Sequence, residues 1–112
     1  MTFSEHNGDD QRAVRARVTR DALTVDLADG RTLIVPLAWY PRLLHGNAME
    51  RSRWRLIGGG VGIHWPDLDE DISVAGLLAG KPSGESPRSL EAWLARRSRT
   101  TASTRRAKKA RA

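Results

Sequence analysis

The chain of 112 residues has no cysteine, few aromatic residues and no long apolar run. Without cysteine it can form no disulfide, no thiolate zinc site and no cysteine nucleophile. Without an apolar stretch of about 20 residues a membrane span is not predicted, and no signal-peptide core is visible. These absences fit a protein of the reducing cytoplasm. No cofactor-binding motif is present, so we expect no cofactor.

The length allows one small domain. Residues 1–11 are polar and acidic and are predicted to be a disordered leader. Residues 12–80 are predicted to form the globular domain, and residues 81–97 a linker with an amphipathic helix. Residues 98–112 lack bulky apolar side chains and are predicted to be a disordered basic tail. A domain this small buries only about 60% of its chain surface, so we expect the four tryptophans to matter to the core.

The net charge of +6 belongs to the C-terminal segment rather than to the domain. Residues 96–112 carry eight of the 19 basic residues and none of the 13 acidic residues, which leaves 11 basic and 13 acidic residues, or −2, elsewhere. Such a segment can neutralise several phosphates in a salt-dependent, sequence-independent way. Its candidate nucleic-acid contacts are Arg96, Arg97, Arg99, Arg105, Arg106, Lys108, Lys109 and Arg111. A solvated end without a partner explains the same composition.

Residues 13–36 alternate between apolar and polar side chains, which predicts a meander of three antiparallel strands. A tight turn at Arg20-Asp21 places apolar residues opposite each other in three pairs: Val18–Leu23, Ala16–Val25 and Val14–Leu27. In the next turn, a three-residue loop with Gly30 in a left-handed conformation is favoured over a two-residue loop. A shift of the register by one residue would move every side chain to the opposite face of the sheet. The apolar pattern therefore selects the register that pairs Val25 with Leu33 and Leu23 with Val35.

Residues 39–47 predict a short helix on the sheet, because apolar residues recur at helical spacing: Trp39 or Tyr40, Leu43 and Leu44. Gly46-Asn47 is expected to end it. A β-hairpin follows, with one strand around 54–56 and the other over 61–65. The glycine triplet 58–60 joins the two strands, and Pro66 ends the second because it has no N–H to donate.

Four acidic side chains follow within five residues: Asp67, Asp69, Glu70 and Asp71. Asp71 is placed as the N-cap of a short helix over residues 72–79. The acids can stabilise this helix, pair with arginines, or bind a hard cation such as magnesium or calcium, although the EF-hand pattern is missing. They can also complement a basic partner protein.

The sequence gives little support for an enzyme. It has no nucleophile elbow and no His-Glu-x-x-His motif, and nothing in it brings Ser73 and His64 together as a catalytic pair. Beyond the linker, Ser86-Pro87 begins a helix whose apolar face contains Leu90, Trp93 and Leu94. That face must pack on the domain, on a partner or on a second copy of the chain.

Three segments carry a family pattern. They are the meander ending in Asp29-Gly30-Arg31, the segment Trp39-Tyr40-Pro41-Arg42-Leu43, and the run from Gly62 to Val74 with Leu77-Leu78-Ala79-Gly80. Over roughly residues 13–80 they resemble the small bacterial family catalogued as domain of unknown function 2442. The resemblance implies a compact α+β domain of a family whose members are proposed as antitoxins of toxin–antitoxin pairs. Some members carry a helix-turn-helix after the domain, which is not found in residues 81–112, and no catalytic residues are transferred.

The expected fold is therefore α+β: a small, mostly antiparallel sheet built from a three-stranded meander plus a hairpin, with two short helices, a C-terminal helix and a basic tail. The expected function is that of a non-catalytic, antitoxin-like binding protein for a small partner protein. Its candidate contacts are Asp67, Asp69, Glu70, Asp71 and Trp93. The first strand, at a sheet edge, is a further candidate surface. Nucleic-acid binding through the tail is the alternative.

Overall fold

The computed structural model describes residues 11–98, which fold into two three-stranded antiparallel sheets and several short helices. The first sheet has the order β1 (Ala13–Val18), β2 (Ala22–Leu27), β3 (Thr32–Pro36). The second has the order β4 (Arg55–Ile57), β5 (Gly62–Trp65), β6 (Glu70–Ser73). The predicted α+β class is confirmed. The predictions of a leader and a basic tail fall on residues outside the described range, except at Gln11 and Ser98.

Four helices accompany the sheets: α1 (Pro41–Leu44), α2 (Ala48–Ser52), α3 (Val74–Leu78) and α4, over residues 87–98. Helix α2 was not predicted. Its signal is a capping box, in which the Asn47 side chain accepts from the Glu50 N–H at 2.8 Å and the Glu50 carboxylate accepts from the Asn47 N–H at 2.9 Å. None of the helices in residues 11–98 is long and apolar enough to cross a membrane.

The register of the first sheet follows the apolar pattern. The predicted pairs Val18–Leu23 and Ala16–Val25 are observed, and so are the two pairs predicted between β2 and β3. The third predicted pair of β1 is wrong, because the register shifts between Ala13 and Arg15. Ala13 lies opposite Leu27, and its N–H donates to the Gly60 carbonyl at 2.7 Å, while Val14 is left 52% exposed. This register shift is a β-bulge, and it places the start of β1 against the turn between β4 and β5.

The acidic turn leads into a strand rather than a helix, which corrects the prediction that Asp71 is an N-cap. Ile72 lies opposite Ile63 and is buried, so the apolar contact extends the predicted hairpin by a third strand. The turn before β6 is closed by Asp69 in a left-handed conformation, with φ of 49°. Ser73 then caps α3, since its Oγ accepts from the Gly76 N–H at 3.0 Å.

The core lies between the sheets and is covered at one side by α4. Its fully buried side chains come from both sheets, from α1 and from the short 3-10 turns that follow β3 and β5: Trp65, Leu23, Leu37, Leu43, Ile63, Leu68 and Val25. Trp65 also donates from Nε1 to the Arg51 carbonyl at 3.0 Å. Trp93 of α4 is only 6% exposed. The apolar face of the C-terminal helix therefore packs on the domain itself.

Candidate functional site

The turn between β5 and β6 presents three exposed or partly exposed carboxylates. The side chains of Asp69 and Asp71 are 86% and 70% exposed, and that of Asp67 is 35% exposed. Each has one basic neighbour: Arg42 at 3.5 Å from Asp69, Arg53 at 3.6 Å from Asp67, and His64, whose Nδ1 contacts Asp71. Asp69 and Asp71 border the same cavity, and Asp67 does not.

Glu70 is the exception, because its side chain turns inward. One carboxylate oxygen, Oε1, accepts from the Asp71 N–H at 3.1 Å. The other, Oε2, is buried and has no hydrogen-bond partner among the described residues. Burial raises the pKa of this carboxyl from 4.5 to about 7, and it outweighs the Asp71 N–H and the Arg42 charge, which lower the pKa. Glu70 therefore holds a poorly solvated acceptor at the edge of the sheet.

β6 is an edge strand of the second sheet, so no strand pairs with its outer side within residues 11–98. The Val74 N–H donates to the Val61 carbonyl at 3.0 Å, which continues the β5–β6 ladder. In an antiparallel ladder the bonded pairs alternate, so the N–H and C=O groups of Asp71 and Ser73 point away from β5. The bond from the Asp71 N–H to its neighbour's carboxylate agrees with this direction.

A slot of about 510 Å³ runs along this edge, and residues 81–85 form its other wall. Each wall contributes five consecutive residues: 69–73 on the side of β6 and 81–85 on the other side. A strand lines a cavity with consecutive residues only at its edge, because side chains on a face recur at every second position. The slot therefore lies between two backbone segments.

The second wall is fixed to the domain by hydrogen bonds. The Ser83 N–H donates to the Trp39 carbonyl at 2.9 Å, and the Tyr40 hydroxyl donates to the Lys81 carbonyl at 3.3 Å. Burial, followed by the charge of Glu70, raises the pKa of the Tyr40 hydroxyl. These bonds hold the linker in place beside β6, so that the slot has two positioned walls.

Arg42 connects the two walls of the slot, and sequence reasoning missed this role. Its guanidinium donates to both Glu85 oxygens at 2.5–2.9 Å and to the Asp69 carbonyl at 3.2 Å. The hydrogen bond from Arg42 lowers the pKa of Glu85. The two residues are 43 positions apart, and no local pattern pairs them.

Trp93 lies in the core beneath two guanidinium groups. The Cζ atoms of Arg42 and Arg97 are 5.0 and 4.7 Å from the centre of its ring. Arg97 also donates to the Glu50 carboxylate, with both N–O distances at 2.9 Å. Trp93, a predicted partner contact, is thus a packing residue in this arrangement. Of the predicted basic contacts, Arg97 has these internal partners, Arg96 lies exposed in α4, and the others fall outside residues 11–98.

Ser73 and His64, the side chains considered for catalysis, make structural contacts instead. Ser73 lies opposite Gly62, and its hydroxyl caps α3, whereas His64 lies opposite Asp71 and contacts it. No hydrogen bond between Ser73 and His64 occurs in the described part of the chain. Within residues 11–98, no three or more His, Asp or Glu side chains are grouped so as to hold a metal ion.

Solved structures of two bacterial proteins are similar to this chain. A protein of unknown function from Rhodospirillum rubrum is 33% identical, with a TM-score of 0.58 over 66% of this chain and 92% of that chain. An uncharacterized protein from Chromobacterium violaceum has the same TM-score of 0.58 at 18% identity, over 74% of this chain and 82% of that chain, and shares the fold alone. No curated protein matches. The profile of the family described as "Protein of unknown function (DUF2442)" matches residues 13–83, well over half of the sequence, so the chain belongs to the DUF2442 family.

Proposed function

We propose that this protein is a non-catalytic, antitoxin-like binding module of the cytoplasm, and that a small partner protein inserts a basic segment into the slot between β6 and residues 81–85. The observation that carries the proposal is the open strand edge of β6 facing a fixed second wall. Such an edge binds an extended peptide through backbone hydrogen bonds, and side-chain pockets add selectivity.

The charges of the slot favour a basic partner. The exposed carboxylates of Asp69 and Asp71 stand at its rim. Oppositely charged surfaces attract over distance and raise the association rate, an effect that falls with ionic strength. A lysine or arginine of the partner would also supply the missing donor to Oε2 of Glu70. A buried carboxylate without a partner is unfavourable, so this contact would add both affinity and selectivity.

The arrangement of the second sheet supports a non-catalytic role. A nucleophilic serine needs a base within hydrogen-bond reach. Here the Ser73 hydroxyl accepts from the Gly76 N–H, and His64 faces Asp71. The serine and histidine considered as a catalytic pair are therefore engaged in capping and in a cross-strand contact.

The test begins with the full chain as bait in a nuclease-treated native lysate of its source bacterium, and continues with titration of the purified partner. The double variant Asp69→Asn/Asp71→Asn removes the rim charges, and Glu70→Gln removes the inner one. A matched control, Asp21→Asn/Glu91→Gln, removes two exposed charges elsewhere. We expect the rim variant to bind at least tenfold more weakly with a slower association rate, and the control to bind like the wild type.

Two results would overturn the proposal. One is a folded rim variant whose affinity equals that of the wild type, since the carboxylates would then lie outside the interface. The other is the failure of the full chain to retain any specific protein. In that case retention of DNA or RNA without nuclease treatment would favour the tail as the active part.

The nucleic-acid alternative stays a prediction of the sequence. It depends mainly on basic residues beyond Ser98, which lie outside the described part of the chain. Arg97, one of its predicted contacts, is paired with Glu50 and stacked on Trp93.

A further inference from the structure

The slot at β6 and the C-terminal segment of the same chain carry opposite charges. Four carboxyl groups and two basic groups line the slot, and one of the basic groups, Arg42, is paired with the carboxylate of Glu85. Residues 99–112, which lie outside the described range, contain six arginines and lysines and no acidic residue. Charges of opposite sign attract each other strongly at contact distance. The chain therefore contains a segment of the composition that suits its own slot.

The helix α4 ends close to the slot. The Cζ atoms of Arg42, which lines the slot, and of Arg97 lie 5.0 and 4.7 Å from the centre of the Trp93 ring, so they are less than 10 Å apart. The helix also begins only two residues after Glu85 of the slot wall. With 12 residues, it is about 18 Å long. The chain beyond Ser98 thus starts within reach of the slot.

The sequence beyond Ser98 consists of a spacer and a basic cluster. The spacer, residues 99–104, is mostly threonine, serine and alanine, and the cluster, residues 105–111, contains five of the six basic residues. Six extended residues span about 20 Å, which is close to the length of α4. A chain that turned back along the helix would therefore bring the basic cluster to the slot without any movement of the domain.

The slot offers two kinds of contact to such a segment. The outward N–H and C=O groups of Asp71 and Ser73 can pair with an extended backbone. Oε2 of Glu70 has no hydrogen-bond partner among the described residues, and a lysine or arginine side chain can donate to it. A segment that contains both lysine and arginine in several neighbouring positions meets this requirement in more than one register.

Covalent attachment favours the chain's own segment over a second copy. A short flexible connection gives a tethered segment a millimolar effective concentration, so even a weak contact is well populated. A segment from another molecule would need a comparable concentration in solution to compete.

We propose, building on the proposed function of the slot, that residues 105–111 bind in the slot at β6 of their own chain and that a partner protein must displace them. The basic cluster is then an intramolecular competitor. The apparent affinity for the partner falls in proportion to the fraction of chains whose slot is open. Because the contact depends on charge, occupancy of the slot also falls with rising ionic strength.

The first experiment needs no partner and uses the full chain. The sequence has no cysteine, so Ala107→Cys gives a single attachment site for a nitroxide label, which broadens the NMR signals of nearby amides. We expect the label to reduce the amide signals of Asp71, Ser73 and Ser83 to less than half of their intensity with the reduced label. The effect should persist when the labelled chain is diluted with unlabelled chain that is not isotope-enriched.

Charge variants test the cause of this broadening. Asp69→Asn/Asp71→Asn, which removes the rim charges of the slot, should restore at least half of the lost intensity. The matched control Asp21→Asn/Glu91→Gln removes two exposed charges elsewhere and should leave the broadening unchanged.

A second measurement tests the effect on access to the slot. The variant has four basic residues of the cluster replaced in the full chain: Arg105→Gln, Arg106→Gln, Lys108→Gln and Lys109→Gln. We expect the amide of Ser73 to exchange with solvent at least threefold faster in this variant than in the wild type. The variant should also bind the partner purified from the lysate at least threefold more tightly.

Absence of broadening, or broadening that the rim variant leaves unchanged, overturns the proposal. So does broadening that arises only between a labelled copy and a separate isotope-enriched copy, because the occupant is then a second molecule. If a partner is retained but binds the wild type and the cluster variant equally, this inference fails and the proposed function stands. If the label broadens the slot signals and no protein is retained from the lysate, the proposed function fails and the contact within the chain stands.

Discussion

The inward carboxyl of Glu70 should make the protein less stable as the pH rises. Its folded-state pKa is raised to about 7 from 4.5, mainly by burial. Between these pH values the folded chain keeps a proton that the unfolded chain has lost. The contribution of this group to stability is therefore most favourable below its unfolded pKa, declines as the pH rises, and reaches its least favourable value above its folded pKa.

The size of the effect follows from the same pKa difference. One pKa unit corresponds to about 1.36 kcal/mol, so the full difference would be about 3 kcal/mol. Because the side chain is only partly buried, screening by solvent reduces this to about 1–2 kcal/mol. Glu70→Gln removes the titration but keeps an oxygen that can accept from the Asp71 N–H. We expect the variant to match the wild type at low pH and to be more stable by about 1–2 kcal/mol above neutral pH.

Urea unfolding at a series of pH values, followed by the fluorescence of buried Trp65 and Trp93, measures this difference. Other carboxyls act with the opposite sign: the pKa values of Asp26 and Glu50 are lowered, so their stabilisation is lost as the pH falls. They are common to both proteins and cancel in the difference. Glu91→Gln, at an exposed position of α4, controls for the change in net charge. A Glu70→Gln difference that stays constant with pH would refute the reasoning.

Three further predictions concern stability and are checked by the same unfolding measurement. Gly60→Ala should destabilise the protein by more than about 2 kcal/mol, since φ is +117° and the new Cβ would lie 2.5 Å from the Ala13 carbonyl oxygen. Gly30→Ala is the control, because φ is +92° but the space around it is open, and it should cost only about 1–2 kcal/mol. Equal costs would contradict the contact between the two sheets at Gly60. Trp93→Ala should cost about 3–5 kcal/mol, and a loss below about 1 kcal/mol would mean that α4 is not docked in solution. Asn47→Ala should cost about 1 kcal/mol through loss of the α2 cap, whereas Asn47→Ser should largely preserve it; equal losses would argue against the capping box.

The first sheet was predictable because its alternation leaves one workable register. Moving β2 by one residue would expose Leu23 and Val25, both of which are fully buried. The exception, Val14, depends on the contact between Ala13 and Gly60, which are far apart in the sequence, so it gives no local signal. Alternation thus determines which faces are buried, but not where a distant turn interrupts the ladder.

The error at Asp71 arose because two residues of the run are good N-caps. Asp71 and Ser73 both qualify by residue type, and only the buried position of Ile72 opposite Ile63 decides between them. Once residues 70–73 form a strand, Glu70 must share the inward face with Ile72. The inward direction of the Glu70 side chain could therefore have been predicted from the sequence, but only if residues 70–73 had been interpreted as a strand.

The docking of α4 was beyond local reasoning. Arg97 of α4 pairs with Glu50, and Glu85, just before the helix, pairs with Arg42; these partners are 47 and 43 positions apart. The apolar face of the helix showed that it must pack against something, and its charges are compatible with several surfaces. Only the assembled core, with Trp93 beneath both guanidinium groups, determines which surface it covers.

Charge at the strand edges also has a simpler explanation, because charged side chains on open edges prevent strands of different molecules from pairing. The arginines of β1 and the exposed carboxylates of Asp69 and Asp71 would suffice for that purpose. Edge protection does not require a buried oxygen without a partner, which makes the fold less stable by about 1–2 kcal/mol above neutral pH. Nor does it require a linker fixed by Ser83 and Glu85 beside an open edge. A ligand that lies between the two walls and donates to Glu70 would account for both features, which is the reason for proposing a binding site in the slot at β6.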